Sequence, residues 1–306
     1  MKFSIIIPIK NSEETLQWCL QSVMLQAGED DYEVICVDNG SSDGSVGIVE
    51  RFRDKYPKKI KLLHSSASTV SGVRNAGAKE SKGEFLAFLD SDCIAPAWWL
   101  KKASERIKEG WDALGGWGRT IAGMSKLIML WNDSVRPRVD GKISWIPSCD
   151  LFIRRRLFNA IGGFSEQFVT TEDVEFCSRV KKAGVEIGYF SDLDVVHLGE
   201  PKNLWDFFKK EVWRGKGVLR LFLKTKGRVG GKPLLLALYS IMYLLVSVTI
   251  AVKYGVFHLM LSLLLGFVPL LGLGYIKTRN WLSGLILGGM YFVYGLARAI
   301  AVAGGP

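Results

Sequence analysis

Apolar positions along the chain follow two regimes. Up to about residue 200, short apolar runs alternate with amphipathic stretches. After Pro233 the apolar runs lengthen to roughly twenty residues. In the first regime, the runs at 3–7, 33–37, 60–63 and 84–89 are rich in β-branched and aromatic residues and read as buried strands. Helices are expected between them, at 12–26, from the turn at 38–44 to about 55, and at 72–81. Asn11 with Glu14 three residues on predicts a capping box for the first helix. Further on, the pattern predicts a helix at 98–108 and strands at 113–117 and 145–153. A helix opening on Glu172-Asp173 and ending near 183 follows, with short strands at 187–190 and 194–197. Such alternation predicts an α/β domain over 1–200, with a mostly parallel, Rossmann-like sheet covered on both faces. Ligands of such sheets bind past the carboxyl ends of the strands. Asn11, Asp38 and Asp90-Ser91-Asp92 all fall there.

The second regime holds three runs, 234–252, 255–276 and 281–302. Each approaches the ~20 residues that a helix needs to span the hydrocarbon core. A helical transmembrane region is therefore expected over 233–306. Lys224, Lys226, Arg228 and Lys232 precede the first run and Lys277 and Arg279 precede the third, whereas Lys253 alone separates the first two. The positive-inside tendency then predicts a multi-pass protein of the cell membrane with its N-terminal domain in the cytoplasm. Arg298 lies within the third run, where it must snorkel to an interface or face another helix.

Charge sharpens this division. The chain's 306 residues carry a net charge of +10, and ten Lys/Arg against three acids lie between residues 200 and 232. Trp205, Phe207, Phe208, Trp213, Leu219, Leu221 and Phe222 are interleaved with these bases. The stretch 201–232 therefore reads as basic amphipathic juxtamembrane helices, with membrane lipids as partners. A nucleic-acid partner is not expected, because no binding motif accompanies the charge. Five scattered cysteines without metal-finger spacing point to free thiols in a reducing compartment. No signal peptide is read at the N-terminus.

The acids supply the candidate chemistry. Asp90 and Asp92, at i and i+2 on a turn, are hard oxygen ligands suited to Mg²⁺ or Mn²⁺ bound to a substrate diphosphate. Asp38 either accepts hydrogen bonds from a nucleoside or caps its own turn. Arg74 either contacts diphosphate oxygens or lies on a helix surface. Glu172-Asp173 opens a helix, where acids suit the dipole, and Asp173 is the candidate general base. His197 is either a third metal ligand or a structural histidine.

Four motifs, taken in order, carry a resemblance. Ser4-Ile5-Ile6-Ile7-Pro8-Ile9-Lys10-Asn11 is similar to the first strand and turn of the inverting family 2 glycosyltransferases of GT-A fold. Val37-Asp38-Asn39-Gly40-Ser41-Ser42-Asp43-Gly44-Ser45 resembles their nucleoside-binding turn. Val73-Arg74-Asn75-Ala76-Gly77, with Gly83 through Asp92, resembles the run into their DxD. Ile161-Gly162-Gly163-Phe164-Ser165-Glu166, with Glu172-Asp173, is similar to their acceptor-side motif.

The resemblance, over residues 3–200, implies a GT-A nucleotide-diphospho-sugar transferase domain. Pro8, Asn11, Asp38, Arg74, Asp90, Ser91 and Asp92 would bind the donor. Asp92, Asp90 and His197 would hold a divalent metal (Mn²⁺ or Mg²⁺), and Asp173 with Glu172 would be catalytic. The implied activity is metal-dependent transfer of one hexose-type sugar from a nucleotide sugar to a membrane-associated acceptor. That acceptor would be a polyprenyl phosphate, a lipid-linked sugar or a glycolipid. Cys149-Asp150 stands where relatives often carry a small residue and Asn, and Glu211-Val212-Trp213-Arg214 is only loosely similar to the QxxRW of processive members. Single-sugar transfer is therefore expected. The competing readings are an inactive membrane-anchored nucleotide-sugar-binding scaffold and a sugar nucleotidyltransferase. The latter usually needs a Gly-rich, Arg-containing loop where this chain has Pro8-Ile9-Lys10-Asn11.

Overall fold

The structure, a computed structural model, describes residues 2–28, 31–121 and 125–304. The chain divides into two compact units, Met1–Ala122 with Pro137–Glu200, and Gly123–Arg136 with Pro201–Pro306.

The first unit begins with β1 (Phe3–Ile9), α1 (Leu16–Met24), β2 (Tyr32–Asp38), α2 (Ser45–Lys55) and β3 (Ile60–His64). It continues through α3 (Val70–Lys79), β4 (Phe85–Leu89), β5 (Cys93–Ile94), α4 (Trp99–Lys108), β6 (Ala113–Gly115) and β7 (Gly118–Thr120). After α5 (Lys126–Val135), which belongs to the second unit, come β8 (Gly141–Ile143), β9 (Asp150–Arg154), α6 (Arg155–Ala160), α7 (Glu172–Lys182), β10 (Ile187–Tyr189) and β11 (Val195–His197).

Among the described residues, eight strands form one sheet in the order β3-β2-β1-β4-β9-β6-β10-β8, and β5-β11-β7 form a second, small sheet. The β3-β2-β1-β4 half is parallel, whereas β9 runs antiparallel to both its neighbours, so the large sheet is mixed. Alternate residues of its strands face opposite layers, as the two-residue repeat requires. Ile5, Ile7, Val34, Cys36, Phe85 and Ala87 pack with Leu16, Leu20, Trp99 and Leu100 of α1 and α4. Ile6, Ile35, Leu86 and Phe88 pack with Val73, Phe158, Phe176 and Val180 of α3, α6 and α7. Burial on both faces explains why these strands read as continuous apolar runs. Pro8 fits a central strand for a local reason. The Ile9 carbonyl accepts from Asn39 N–H on the β2 side, so Pro8 turns its nitrogen toward β4, where pairing has already ended at Ile6.

Two expectations are corrected here. Helix α1 starts at Leu16 behind Thr15, which makes no side-chain cap, so Asn11 and Glu14 form no capping box. The strand expected at 145–153 begins only at Asp150, because β9 can pair only along the length of β4, with Leu89 opposite Asp150.

The second unit adds to α5 the helices α8 (Leu204–Gly215), α9 (Val218–Lys224), α10 (Gly231–Tyr254), α11 (Val256–Thr278) and α12 (Trp281–Ala303). The last three are long and apolar enough to cross a membrane. Ile128, Trp131, Phe207, Leu287 and Met290 form the core that joins α5, α8 and α12. Gly274, Gly284 and Gly288 let α11 and α12 touch backbone to backbone; a Cβ at Gly274 would collide with the Gly284 carbonyl. Arg298 faces another helix rather than an interface. Its Nη2 donates to Glu211 Oε2 at 2.6 Å and its Nη1 to the Glu211 carbonyl at 2.9 Å.

Candidate active site

The loops leaving β1, β2 and β4 are tied together at the carboxyl edge of the sheet. Asn11 takes a left-handed φ of 50°, tolerable for Asn. In that conformation its backbone N–H donates to Ser41 Oγ at 3.0 Å, and its Oδ1 accepts from Ser42 N–H at 2.8 Å. Ser12 Oγ lies 2.8 Å from Ser91 Oγ and so reaches the DxD turn. Asp38 is buried and accepts from the Gly40 and Ser41 N–H groups at 3.1 and 3.2 Å. The exposed His64 ring approaches the same carboxylate, with Nδ1 3.5 Å from Oδ2. Asp38 thus caps its own turn, and that turn fixes where the carboxylate sits.

Arg74 is buried on the first turns of α3. One Nη donates to Asp90 Oδ1 at 2.6 Å and the other to Glu172 Oε1 at 2.8 Å. Burial opposes its charge, but the two carboxylates outweigh it and raise the guanidinium pKa. The arginine is held between two acids, and its planar fork sets their separation. The Glu172 carboxylate also accepts from Ser148 Oγ at 3.4 Å.

Asp173, the next residue, is half-buried and accepts at Oδ1 from Val174 N–H at 2.7 Å. The residue before this acidic pair, Thr171, has φ of 66°, strained for a β-branched side chain. Two anchors hold the loop at 161–166 in place. Asn75 exchanges two 2.9 Å hydrogen bonds with the Phe164 backbone, and Arg179 donates to the Ile161 and Gly163 carbonyls at 2.6 and 2.7 Å.

The small sheet brings His197 to the DxD. Its register sets His197 opposite Cys93, one residue past Asp92. His197 Nε2 lies 3.6 Å from Asp92 Oδ1, and Nδ1 lies 3.3 Å from Glu200 Oε1. The ligand atoms of Asp92, Cys93 and His197 lie within 4.8 Å of one another. A hydrogen bond with Cys149, then burial, raise the Cys93 pKa. Asp92 and His197, the imidazole backed by the Glu200 carboxylate, supply hard and borderline donors beside the Cys93 thiol. That set suits Mn²⁺ and suits Mg²⁺ less well. A Cβ at Gly199 would strike the Asp92 carboxylate and displace it.

Several residues here escaped the sequence reading. Glu200 could have been found as the acid three residues after His197. Asn75 stands inside a motif already noted. Ser148 lies in the segment before β9 where the sequence predicts a continuous strand.

Comparisons with known proteins bear on this arrangement. A family model described as "Glycosyl transferase family 2" matches residues 4–175, and one described as "Glycosyl transferase family group 2" matches residues 147–297. The chain is 30% identical over 231 residues to glycosyltransferase AglE of Haloferax volcanii, across 72% of this chain and 74% of that protein. It is 40% identical over 94 residues to a poly(ribitol-phosphate) beta-glucosyltransferase of Bacillus spizizenii, across 30% of this chain and 15% of that one. Among solved structures, mannosyltransferase PcManGT from Pyrobaculum calidifontis, in complex with GDP-Man and Mn²⁺, superposes with a TM-score of 0.65 at 15% identity, covering 98% of this chain and 87% of that one. TarS 1–349 of Staphylococcus aureus, in complex with UDP-GlcNAc, superposes with a TM-score of 0.54 at 18% identity, covering 100% and 93%. The two superpositions mark a shared fold.

Proposed function

Because the chain belongs to glycosyltransferase family 2, we propose that it is a membrane-bound inverting enzyme moving one sugar from a nucleotide-diphosphate sugar to a membrane-associated acceptor at the cytoplasmic face. The observation that carries this reading is Arg74, whose guanidinium joins Asp90 of the donor-side turn to Glu172 of the acceptor-side motif. UDP-GlcNAc and GDP-Man, bound in the two solved structures, are donors of the proposed class.

In this reading Asp38, Asn11 and the β1 and β2 turns receive the nucleoside, with Pro8 and Ser91 shaping the cradle. Asp92 and His197, with Asp90 beside them, would hold the divalent metal, which would offset the charge developing on the diphosphate. Asp173 takes the proton from the acceptor hydroxyl as its oxygen bonds to the anomeric carbon. The bond from that carbon to the diphosphate breaks on the opposite face, inverting the configuration. Glu172, occupied by Arg74 and Ser148, positions its neighbour and does not accept that proton. An acceptor phosphate, already anionic, would need no base.

The test is a panel of nucleotide sugars given to the full chain in membranes, with and without Mn²⁺ or Mg²⁺, measuring nucleoside diphosphate release. Metal-dependent release from one donor, lost in Asp92→Asn, is expected. Absence of release from every donor would return the scaffold reading. Asp173→Asn should lose about 10²–10⁴ in rate with hydroxyl acceptors. Full activity of that variant on every acceptor would remove the base assignment.

A further inference from the structure

Two tryptophans on segments that adjoin this site have no role in the chemistry above. Trp117 and Trp145 are half-buried, with ring centroids 4.9 Å apart and planes inclined at 59°. Trp145 rests against the core under α3 and α7, which gives the pair a rigid base. Trp117 is held by its backbone, whose N–H donates to Asp194 Oδ1 at 2.7 Å, while Asp194 Oδ2 accepts from Arg119 Nε at 2.9 Å. A buried carboxylate thus fixes the turn that presents the indole. Neither indole N–H has a protein hydrogen-bond partner among the described residues, and neither is a buried orphan, so both donors are open to the solvent side.

The chain's own connections locate the pair. Trp145 lies three residues before Ser148, which donates to Glu172. Trp117 immediately precedes β7, the strand paired with the one that carries His197, and Gly118 abuts the His197 side chain. The segments that carry the two tryptophans therefore adjoin Ser148, the partner of Glu172, and the strand that carries His197, rather than the Asp38 and Asn11 turns. We propose that Trp117 and Trp145 form a stacking platform for a sugar ring of the acceptor, so that the acceptor is a lipid already bearing a saccharide rather than a bare lipid phosphate. A pyranose offers an apolar C–H face for the rings and hydroxyls for the open N–H donors, whereas a hydrocarbon chain offers nothing to the donors. The proposal rests on the glycosyltransferase reading and narrows its acceptor.

The test uses the full chain in detergent with the donor it cleaves. Two acceptors are compared: a lipid diphosphate carrying one sugar, and the same lipid as a monophosphate. Trp117→Ala should raise KM for the sugar-bearing acceptor about tenfold, the scale of one good aromatic contact. Donor KM should move much less, and Trp117→Phe should restore most of the loss. Trp145→Ala should act in the same direction. The platform is overturned if the sugar-bearing acceptor's KM is unmoved in both alanine variants, or if the loss falls on donor KM. It is overturned equally if the bare monophosphate proves the better acceptor. A melting temperature for each variant identifies misfolding, and the phenylalanine variant then decides. The two readings fail separately: a failed platform leaves metal-dependent nucleoside diphosphate release intact, whereas a failed glycosyltransferase reading abolishes it in the unmodified chain.

Discussion

Arg74 is nearly sealed from water, and its two carboxylate partners differ in exposure: Glu172 is 11% and Asp90 28% exposed at the side chain. Removing the guanidinium strands both acids. Arg74→Met should cost about 3 kcal/mol or more of stability, as loss of one member of a buried pair does. Arg74→Lys should recover part of it, since an ammonium keeps the charge but not the fork. Thermal unfolding in detergent checks both. Asp150 is a second buried acid, fully enclosed, with Oδ1 accepting from the Trp99 indole at 2.9 Å. Burial first, then the charge of Asp194, push its pKa well above the carboxylate range. Between the unfolded value of ~3.9 and this raised value, the folded state binds the extra proton, so stability is full at low pH and falls as pH rises. Asp150→Asn should remove that slope and raise the melting temperature at pH 8 more than at pH 5. An unchanged slope would overturn the assignment. The sequence showed these acids and the arginine, but not their pairing. Arg74 and Glu172 are 98 residues apart, and nothing local in the sequence announces that they pair.

Among the elements, the strands were legible because burial on both sides leaves long β-branched runs, as in Phe3–Ile9 and Tyr32–Asp38. Capping signals were less dependable. Asn11 serves the loop after β2 instead of its own helix, a tertiary hydrogen bond overriding a local pattern. The three-residue strands β7 and β8 escaped because so few residues carry no periodicity, yet β7 is part of the sheet that delivers His197 to Asp92. Gly199 closes that sheet over the carboxylate. Gly199→Ala should cut turnover about 100-fold through displacement of Asp92, the scale of a 1 Å misplacement, while the melting temperature changes little. Steady-state rates and unfolding on one preparation separate the two effects.

For the whole molecule, the apolar helices and the basic segment before them supply the argument for membrane orientation. α10, α11 and α12 each exceed twenty residues, and the turn at Gly255 separates the first two. With three crossings, that turn and the one at Arg279 lie on opposite sides of the bilayer. Tyr254→Cys and Arg279→Cys should therefore label with an impermeant maleimide from opposite faces, Arg279→Cys from the cytoplasm. Labelling from a single face would reduce the number of crossings. The lengths of these helices were evident in the sequence, but the placement of Arg298 was not, because its partner lies on the amphipathic helix α8.

That partnership has a consequence for how the protein is made. An arginine within an apolar helix is costly to insert alone, yet Arg298 is spoken for by Glu211, with Arg214 on the acid's other oxygen at 2.8 Å. Glu211 leaves the ribosome before any of the three long helices. If α12 is inserted as the last of three crossings, the counter-charge for its arginine has already been made, and a chain lacking α8 should insert that helix less efficiently.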